Sequence, residues 1–395
     1  MTKDQINSLR KRIGRTMESI RNIPRPLNPG SPTEAKKSER WEGNLDGESA
    51  DRLVIYLRSS GCSWAIDLQK PGHLLPGCLD CEHSVAETTY GRPISAADYL
   101  KQFRGKFHDF GVKRCPILCL YNEGSFFNEK ELPAEARRQI LRDIADDGHV
   151  KRLVLETLPS YVSDAVLQET TDLLGSVELE VGIGLESSSE AVRALCINKP
   201  YSLKAFERAA ETVRQYCRLL AYVMLKPSFL SEKEALDDAK STVEYAFAKG
   251  VDAVSVEPVS VGKFTMSGVL YYLNLYRPAW LWSVLDCAKF AASRGEVRIG
   301  GYQFAPAYIY HASNCDLCTR EVKGRIQLFN QTHKRDDLER ISFLCCTKAW
   351  QRELAEECPP LELRISKQLD RVESLLSDPK AINDFLRGES AFNVL

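Results

Sequence analysis

The sequence predicts an α/β fold, a partial (β/α)6 TIM-like barrel with an N-terminal helix and arm and a cysteine-rich C-terminal extension. Two observations predict it: short apolar runs alternate with segments of helical pattern, and the alternation stops near residue 300. Such alternation is typical of a parallel sheet covered by helices. Six units can form a closed or an incomplete barrel, whose chemistry lies in the loops after the carboxyl ends of the strands. The runs lie at 53–57, 115–120, 152–155, 179–183, 219–225 and 251–256, with a further candidate at 297–300.

The predicted elements divide the chain into three parts. Residues 1–50 hold an amphipathic helix at 3–22 and then a stretch rich in proline, glycine, serine and charge, which indicates an extended arm or linker. Residues 51–300 hold the barrel. Residues 301–395 form the extension, which contains a second group of cysteines and ends in an amphipathic helix at 361–389.

The composition excludes several classes of protein. With 44% hydrophobic residues, the chain is of the ordinary folded type. Its 53 basic and 54 acidic side chains give a net charge of -1, so no global attraction draws it to nucleic acid or anionic lipid. Apolar runs are too short to span a membrane, and the N-terminus lacks the apolar core of a secretory signal. We therefore expect a cytoplasmic protein with no membrane partner and a small-molecule substrate.

The thirteen cysteines are not expected to form a disulfide framework, because thiols stay reduced in the cytosol, where clustered thiols are more often metal ligands or catalytic groups. Cys62, Cys78 and Cys81 follow the first predicted strand in a loop rich in glycine and proline. Three thiolates suit a zinc site with His73 or His83 as fourth ligand. They equally suit a four-iron cluster with one iron open to a ligand. Their position after the first strand of a βα barrel favours the iron-sulfur interpretation.

Polar residues follow the next strands of the predicted barrel. The segment 120–128 contains a glycine turn that can present Asn122, Glu123 and backbone groups to an ammonium group. The following strands run into Glu156 and then into the segment 184–202. Because the carboxyl ends of parallel strands lie at one end of a barrel, we expect these groups to surround the cysteines. Helix capping is the alternative for any single cluster.

Several strings resemble the radical SAM superfamily. They are RSSGCSW, CLDC, LYNEGSFFNEKELPAEARRQIL, ETLPSYV and VGIGLESSSEAVR, with further collinear matches over roughly residues 50–350. Within the superfamily, they resemble the branch that includes the tRNA-acetylating Elongator catalytic subunit, and most of all the archaeosine-forming radical SAM family. The resemblance implies that the partial barrel is of the radical SAM type.

The resemblance also implies a site. Cys62, Cys78 and Cys81 would hold a 4Fe-4S cluster whose open iron binds S-adenosylmethionine (SAM). An electron from a flavodoxin- or ferredoxin-type donor would cleave SAM reductively, and the 5′-deoxyadenosyl radical would abstract hydrogen from the substrate. Asp80 stands where the superfamily often has an aromatic residue near adenine, so that contact is not carried over. The residues implied in cofactor binding are Asn122, Glu123, Gly124, Ser125, Glu156, Glu186, Ser187, Ser188 and Lys226.

A second cysteine group lies in the extension. Cys315 and Cys318 form one pair, and Cys345 and Cys346 follow about thirty residues later. Four thiolates suit structural zinc or an auxiliary iron-sulfur cluster. If only one of the adjacent cysteines binds, a three-cysteine cluster with an open iron could bind substrate or donate sulfur. The other six cysteines are expected to be core or spare residues.

Three functions remain open from the sequence. The first is a radical SAM enzyme acting on a nucleoside-like or other polar small molecule, with sulfur insertion from an auxiliary cluster as a variant. The second is radical modification of a tRNA base, of the archaeosine lyase type. The third is a zinc-stabilised binding protein without redox chemistry.

Overall fold

A computed structural model describes residues 2–82, 85, 88–109, 115–301 and 308–388 of the protein. Its main feature is an eight-stranded sheet that curls into a half-barrel. The strands are β1 (Lys37–Leu45), β2 (Glu48–Tyr56), β3 (Ile117–Tyr121), β4 (Arg152–Glu156), β5 (Glu178–Glu186), β6 (Arg218–Leu225), β7 (Ala253–Pro258), β8 (Val261–Gly262), β9 (Glu296–Ile299) and β10 (Tyr308–Tyr310). The order in the large sheet is β1-β2-β3-β4-β5-β6-β7-β9, and β8 pairs with β10 separately.

Seven of these strands are parallel to one another, from β2 through β7 to β9. Each of the six predicted apolar runs overlaps one of them, and the further candidate at 297–300 overlaps β9. The predicted α/β partial barrel is therefore confirmed. The division of the chain at residues 50 and 300 stays a prediction.

Helices cover the outer face of the sheet and form both ends of the described chain. They are α1 (Lys3–Arg21), α2 (Ala96–Asp109), α3 (Ala134–Asp147), α4 (Asp164–Leu174), α5 (Glu190–Val192), α6 (Leu203–Val213), α7 (Glu232–Ala248), α8 (Met266–Tyr272), α9 (Leu281–Ala292), α10 (Asp316–Thr332), α11 (Asp336–Glu339), α12 (Thr347–Leu354), α13 (Leu361–Ser377) and α14 (Pro379–Arg387). A 3-10 turn at Pro159–Tyr161 and a π-helical turn at Arg193–Ile197 complete the list. No described helix is long and apolar enough to cross a membrane.

The apolar pattern explains how the layers pack. In α6, Phe206, Ala209, Ala210 and Val213 lie on one face and are buried against the sheet. A separate cluster fills part of the barrel interior, where β2, β3, β4 and β6 contribute alternate residues. Because successive residues of a strand point to opposite faces, the two clusters come from the same strands.

The segment 37–51, predicted as an extended arm or linker, forms a β-hairpin instead. β1 pairs antiparallel with β2 through a turn at Asp46 and Gly47, whose φ values are 52° and 94°. Asp-Gly with two positive φ angles is a favoured two-residue hairpin turn. The many charged residues of β1 give no apolar pattern, so the sequence did not predict a strand there. The Asp-Gly pair, which indicates a hairpin turn, was nevertheless present in the sequence.

The predicted terminal helix at 361–389 is two helices, α13 and α14. Asp378 caps the second by accepting a hydrogen bond from Lys380 N, and Pro379 stands at its first position. Proline lacks an N–H and is favoured at the start of a helix, so it divides the predicted one. Position 389 lies outside the described residues.

The half-barrel leaves a gap between its edge strands β1 and β9, and α10 lies across it. The side-chain amide of Asn330 pairs with the backbone of Ile299 as a neighbouring strand would. It accepts from Ile299 N at 3.0 Å and donates to Ile299 O at 2.8 Å. On the other edge, Asn44 donates to Gln331 O at 2.9 Å. The C-terminal extension thus completes the barrel wall.

Candidate active site

The inner face of the half-barrel encloses a cavity of about 450 Å³, within the usual range for ligand sites. All three cysteines of the first group line it. So do three residues of the predicted cofactor set that stand at strand ends, Glu123, Glu156 and Glu186, together with Gly124. Residues far apart in sequence therefore meet where the sequence predicted a site.

The cysteine loop is held in place by backbone contacts. Arg21, a buried residue of α1, donates to Cys78 O at 3.1 Å and Cys81 O at 2.6 Å. Leu79 N donates to Ile197 O at 3.0 Å. Burial raises the pKa of the Cys78 thiol to about 11, although Lys199 opposes this. Burial therefore disfavours the thiolate of Cys78 when no cation is bound beside it.

Asp80 stands before the last cysteine of the loop, where the radical SAM superfamily often has an aromatic residue, and it makes structural hydrogen bonds there. Its carboxylate accepts from Ser228 N at 2.9 Å, from Ser228 Oγ at 2.6 Å and from Ser267 N at 3.1 Å. Burial raises the pKa of Asp80, while these hydrogen bonds oppose the shift. Asp80 anchors the cysteine loop to the segment after β6 and to the first turn of α8.

A buried carboxylate, Glu131, joins the cysteine loop to the turn after β3. It accepts from Ser63 N at 2.9 Å, from Ser125 N at 2.6 Å and from Asn128 Nδ2 at 2.9 Å. A Cβ on Gly124 would overlap this carboxylate, so only glycine fits there. Sequence reasoning missed Glu131, because nothing local distinguishes it from a surface residue.

The turn after β3 fits a polar ligand. Asn122 is 1% exposed, and neither its side-chain nitrogen nor its oxygen finds a hydrogen-bond partner among the described residues. Buried polar groups without partners are rare and unfavourable, so they mark the place of a bound group. Glu123 adopts a positive φ of 55° and is paired with Lys36.

The strand ends on the other side carry a second buried ion pair. Lys199 Nζ lies 3.1 Å from Glu186 Oε1, and both residues line the cavity. Burial opposes the charge, but Tyr201, Glu186 and Cys78 raise the pKa of Lys199 above its ordinary value. Lys199 was not singled out from the sequence, since it stands in a loop thirteen residues after its partner.

Five of the nine predicted cofactor residues do not line the cavity: Asn122, Ser125, Ser187, Ser188 and Lys226. Ser187 Oγ donates to Asp238 at 2.8 Å, and Ser188 N donates to Thr242 Oγ1 at 2.8 Å, so both serines bind α7. Lys226 forms ion pairs with Glu232 and Glu353. Their contacts with SAM stay predictions, and the described contacts are structural ones.

The cavity lining is mostly apolar, with tyrosines and charged groups at a few points. Tyr56, Tyr121 and Tyr222 line it, and Glu257 lies against Gly300 and accepts from Ser255 Oγ at 2.6 Å. Small residues keep it open: a Cβ on Gly182 would lie 2.8 Å from the Tyr222 ring. A mostly apolar lining with a few polar groups is usual for a ligand site.

Glu257 should make stability depend on pH. Burial, then Glu156 and Glu186, raise its pKa from 4.5 to about 7. The folded state holds this proton more tightly than the unfolded state, so the contribution to stability fades as pH rises from 4.5 through 7. In metal-free protein, Glu257→Gln should therefore melt higher relative to the parent at pH 8 than at pH 5, by about 3 °C. A difference that does not grow with pH would contradict the raised pKa.

The zinc alternative for the first group finds little support in the described residues. The His73 ring is 45% exposed and lies 3.7 Å from Asp67 and 3.9 Å from Glu18. It is not part of the cavity lining. His83 lies outside the described residues.

The second cysteine group converges in the extension. Cys345 Sγ lies 3.2 Å from Cys315 Sγ and 3.4 Å from Cys318 Sγ. Cys346 Sγ lies beside them and accepts from Trp282 Nε1 at 3.2 Å. Zinc with bonds of about 2.3 Å holds its sulfur ligands about 3.8 Å apart. Cys315, Cys318 and Cys345 lie close enough together to share one metal ion, whereas Cys346 falls outside that group of three.

The thiols of this second group differ in their electrostatics. Cys315 and Cys346 stand at the N-caps of α10 and α12, without a side-chain capping hydrogen bond. The N–H of Cys318, and then the Cys345 thiol, lower the pKa of Cys315 to about 7. Burial, and then the Cys345 thiol, raise the pKa of Cys318 to about 12.

The half-barrel carries three cysteines after its first parallel strand and polar groups at the following strand ends, as the resemblance to the radical SAM superfamily implied. No family model matches the sequence. The sequence is 30% identical over 361 residues to archaeosine synthase subunit beta of Methanosarcina acetivorans, covering 89% of this chain and 97% of the relative. It is 28% identical to the same subunit of Thermococcus kodakarensis, over 62% and 73% of the two chains.

The chain belongs to the family of archaeosine synthase beta subunits. Among solved structures, Elp3 of Methanocaldococcus infernus aligns with a TM-score of 0.44 and 15% identity, over 59% of each chain. The predicted placement in the Elongator-like branch, near the archaeosine-forming family, is confirmed.

Proposed function

We propose that this protein is a radical SAM enzyme that acts on a nucleoside-like or other polar small molecule. One observation carries the proposal: three cysteines share a cavity with Glu123, Glu156 and Glu186 at the strand ends. When bound, a 4Fe-4S cluster supplies one electron that breaks the C5′–S bond of SAM, releasing methionine and a 5′-deoxyadenosyl radical that takes hydrogen from the substrate.

The chain's own residues hold and shield the reacting groups. Cys62, Cys78 and Cys81 supply three thiolates, while Arg21 and Asp80 fix the loop that carries them. Asn122 and Glu123 are proposed to receive the methionine amine, and Glu186 with Lys199 is proposed to orient the ribose and carboxylate. The enclosed barrel excludes water, which protects a reactive intermediate. The electron donor is proposed to be of the flavodoxin or ferredoxin type.

A second candidate is modification of a tRNA base. The two curated relatives are named as beta subunits of archaeosine synthase, which favours a nucleoside target and a partner subunit for this chain too. A tRNA-binding enzyme should bind its RNA in a salt-dependent way. A shift assay with unmodified tRNA at low and moderate salt separates the candidates, because a small-molecule enzyme should show no such binding.

Anaerobic reconstitution tests the proposal. The protein should take up about four irons at the first site, absorb near 400 nm, and release 5′-deoxyadenosine from SAM under reduction. Free nucleosides and tRNA are then added separately, and the substrate should raise the rate of 5′-deoxyadenosine release. Colourless protein that binds zinc in place of iron would overturn the proposal in favour of a non-redox binding protein.

The second cysteine group is proposed to bind zinc. We expect one zinc per chain beside the four irons, whereas about eight irons would indicate an auxiliary cluster and keep sulfur insertion open. Cys318→Ser should lose this metal and lower the melting temperature by about 5 °C or more, because metal binding contributes to folding of such sites. Cys358→Ser, an exposed cysteine, is the control and should keep both metal and stability.

A further inference from the structure

We infer that Glu353, in the C-terminal extension, is a positioning residue for the cysteine loop that carries the radical cluster. It acts through Lys226, whose segment holds Asp80 between Cys78 and Cys81. The inference rests on the proposed function for its chemical meaning. The contacts themselves are independent of it.

The first link joins the cysteine loop to the segment after β6. Asp80 accepts two hydrogen bonds from Ser228, at 2.9 Å from its N and at 2.6 Å from its Oγ. Because Asp80 lies between two of the three cysteines, any displacement of Ser228 is passed to both sulfur ligands. A bidentate contact of this kind fixes orientation as well as position.

The second link fixes the segment that carries Ser228. Lys226 has a positive φ of 62°, an uncommon conformation for a lysine, and Tyr276 Oη donates to its carbonyl at 2.7 Å. Its ammonium group is 5% exposed and lies 2.5 Å from Glu232 and 3.2 Å from Glu353. A buried ammonium with two carboxylates locks the segment, since leaving either charge unpaired is unfavourable.

The third link runs from Lys226 into the extension. Glu353, on α12, accepts from Trp280 Nε1 at 2.6 Å as well as pairing with Lys226. Trp350 of the same helix donates to Ser283 Oγ at 2.9 Å, which in turn donates to Glu232. Cys346, one of the second group of cysteines, is the N-cap of this helix. Docking of α12 therefore completes the charge network under the cysteine loop.

This network gives Lys226 a role other than the SAM contact expected from the sequence. Glu232 and Glu353 hold its ammonium group away from the cavity lining. Loss of Glu353 leaves the Lys226–Glu232 pair intact, so the fold should survive. The segment that carries Lys226 would keep its ion pair with Glu232 and lose the one with Glu353. The cysteine loop should therefore become more mobile while the fold stays intact.

The test compares Glu353→Ala with Glu357→Gln, an exposed carboxylate on the same side of the extension. In protein loaded with iron and with the second-site metal, Glu353→Ala should keep both metals. It should weaken SAM affinity about threefold to tenfold and change the electron paramagnetic resonance spectrum of the reduced, SAM-bound cluster. Glu353→Gln, which keeps an acceptor for Trp280, should lie between the two.

A cluster-free measurement separates this inference from the proposed function. Hydrogen exchange at the backbone amides of 78–81, Lys226 and Ser228 should be faster in Glu353→Ala than in Glu357→Gln, before any iron is added. Equal exchange and equal spectra in the two variants would overturn the inference. If the parent protein assembles no iron cluster but the exchange difference is present, the proposed function fails and the positioning contact stands.

Discussion

Cys78→Ala should abolish reductive cleavage of SAM. The thiolate is one of three proposed cluster ligands, and the remaining two cannot hold a 4Fe-4S cluster with a defined open iron. Release of 5′-deoxyadenosine under anaerobic reduction should fall to background, at least about 1,000-fold below the parent. Iron content after reconstitution should fall in parallel.

The matched control is Cys196→Ala. Cys196 is fully buried in a packed cluster and is not part of the cavity lining, so its loss removes a sulfur atom without touching the site. We expect this variant to keep its iron and most of its SAM cleavage, with a modest loss of stability. Retained 5′-deoxyadenosine release in Cys78→Ala would show that the cluster lies elsewhere.

Glu131→Ala should have the second largest effect, on both stability and SAM cleavage. Its carboxylate accepts from the backbone N–H groups of Ser63 and Ser125 and from the Asn128 amide. Removing it leaves buried donors without partners, each costing about 1–3 kcal/mol, so the free energy of unfolding should fall by about 3–5 kcal/mol. Because Ser63 follows Cys62 directly, SAM cleavage should fall about 100-fold.

Two variants sharpen this prediction. Glu131→Gln keeps an acceptor oxygen and should recover part of both losses. Glu135→Ala, an exposed position at the start of α3, should change neither quantity appreciably. Denaturant unfolding and 5′-deoxyadenosine release measure the two effects separately. If Glu131→Ala matched Glu135→Ala in both, the carboxylate would not join the two segments.

The barrel was predictable because its strands are buried on both faces and read as continuous apolar runs. The end of the barrel that holds the site was also predictable, because the carboxyl ends of parallel strands lie together at one end of the sheet. Glu123, Glu156 and Glu186 accordingly line the cavity, while their contacts with a cofactor stay predictions. β1 was missed because its exposed residues are charged, and apolar periodicity carries no information about such a strand.

The contacts that hold the site were not predictable from the sequence. Glu131 and Lys199 look like surface charges until the fold buries them next to groups from distant segments. Ser187 and Lys226 stand at strand ends, as cofactor ligands would, yet their side chains face α7 and α12. A residue's position along a strand predicts which end of the barrel it occupies, but neighbouring helices decide where its side chain points.

The helix across the gap has a consequence for how a radical can be contained. α10 is about 25 Å long and connects the second cysteine group, at its first turn, with Asn330 in the cavity wall. A half-barrel without this helix would be open to solvent on one side, and a carbon radical formed inside it could escape. A metal bound at the second cysteine group, as proposed, would fix the first turn of the same helix that carries Asn330 into the cavity wall.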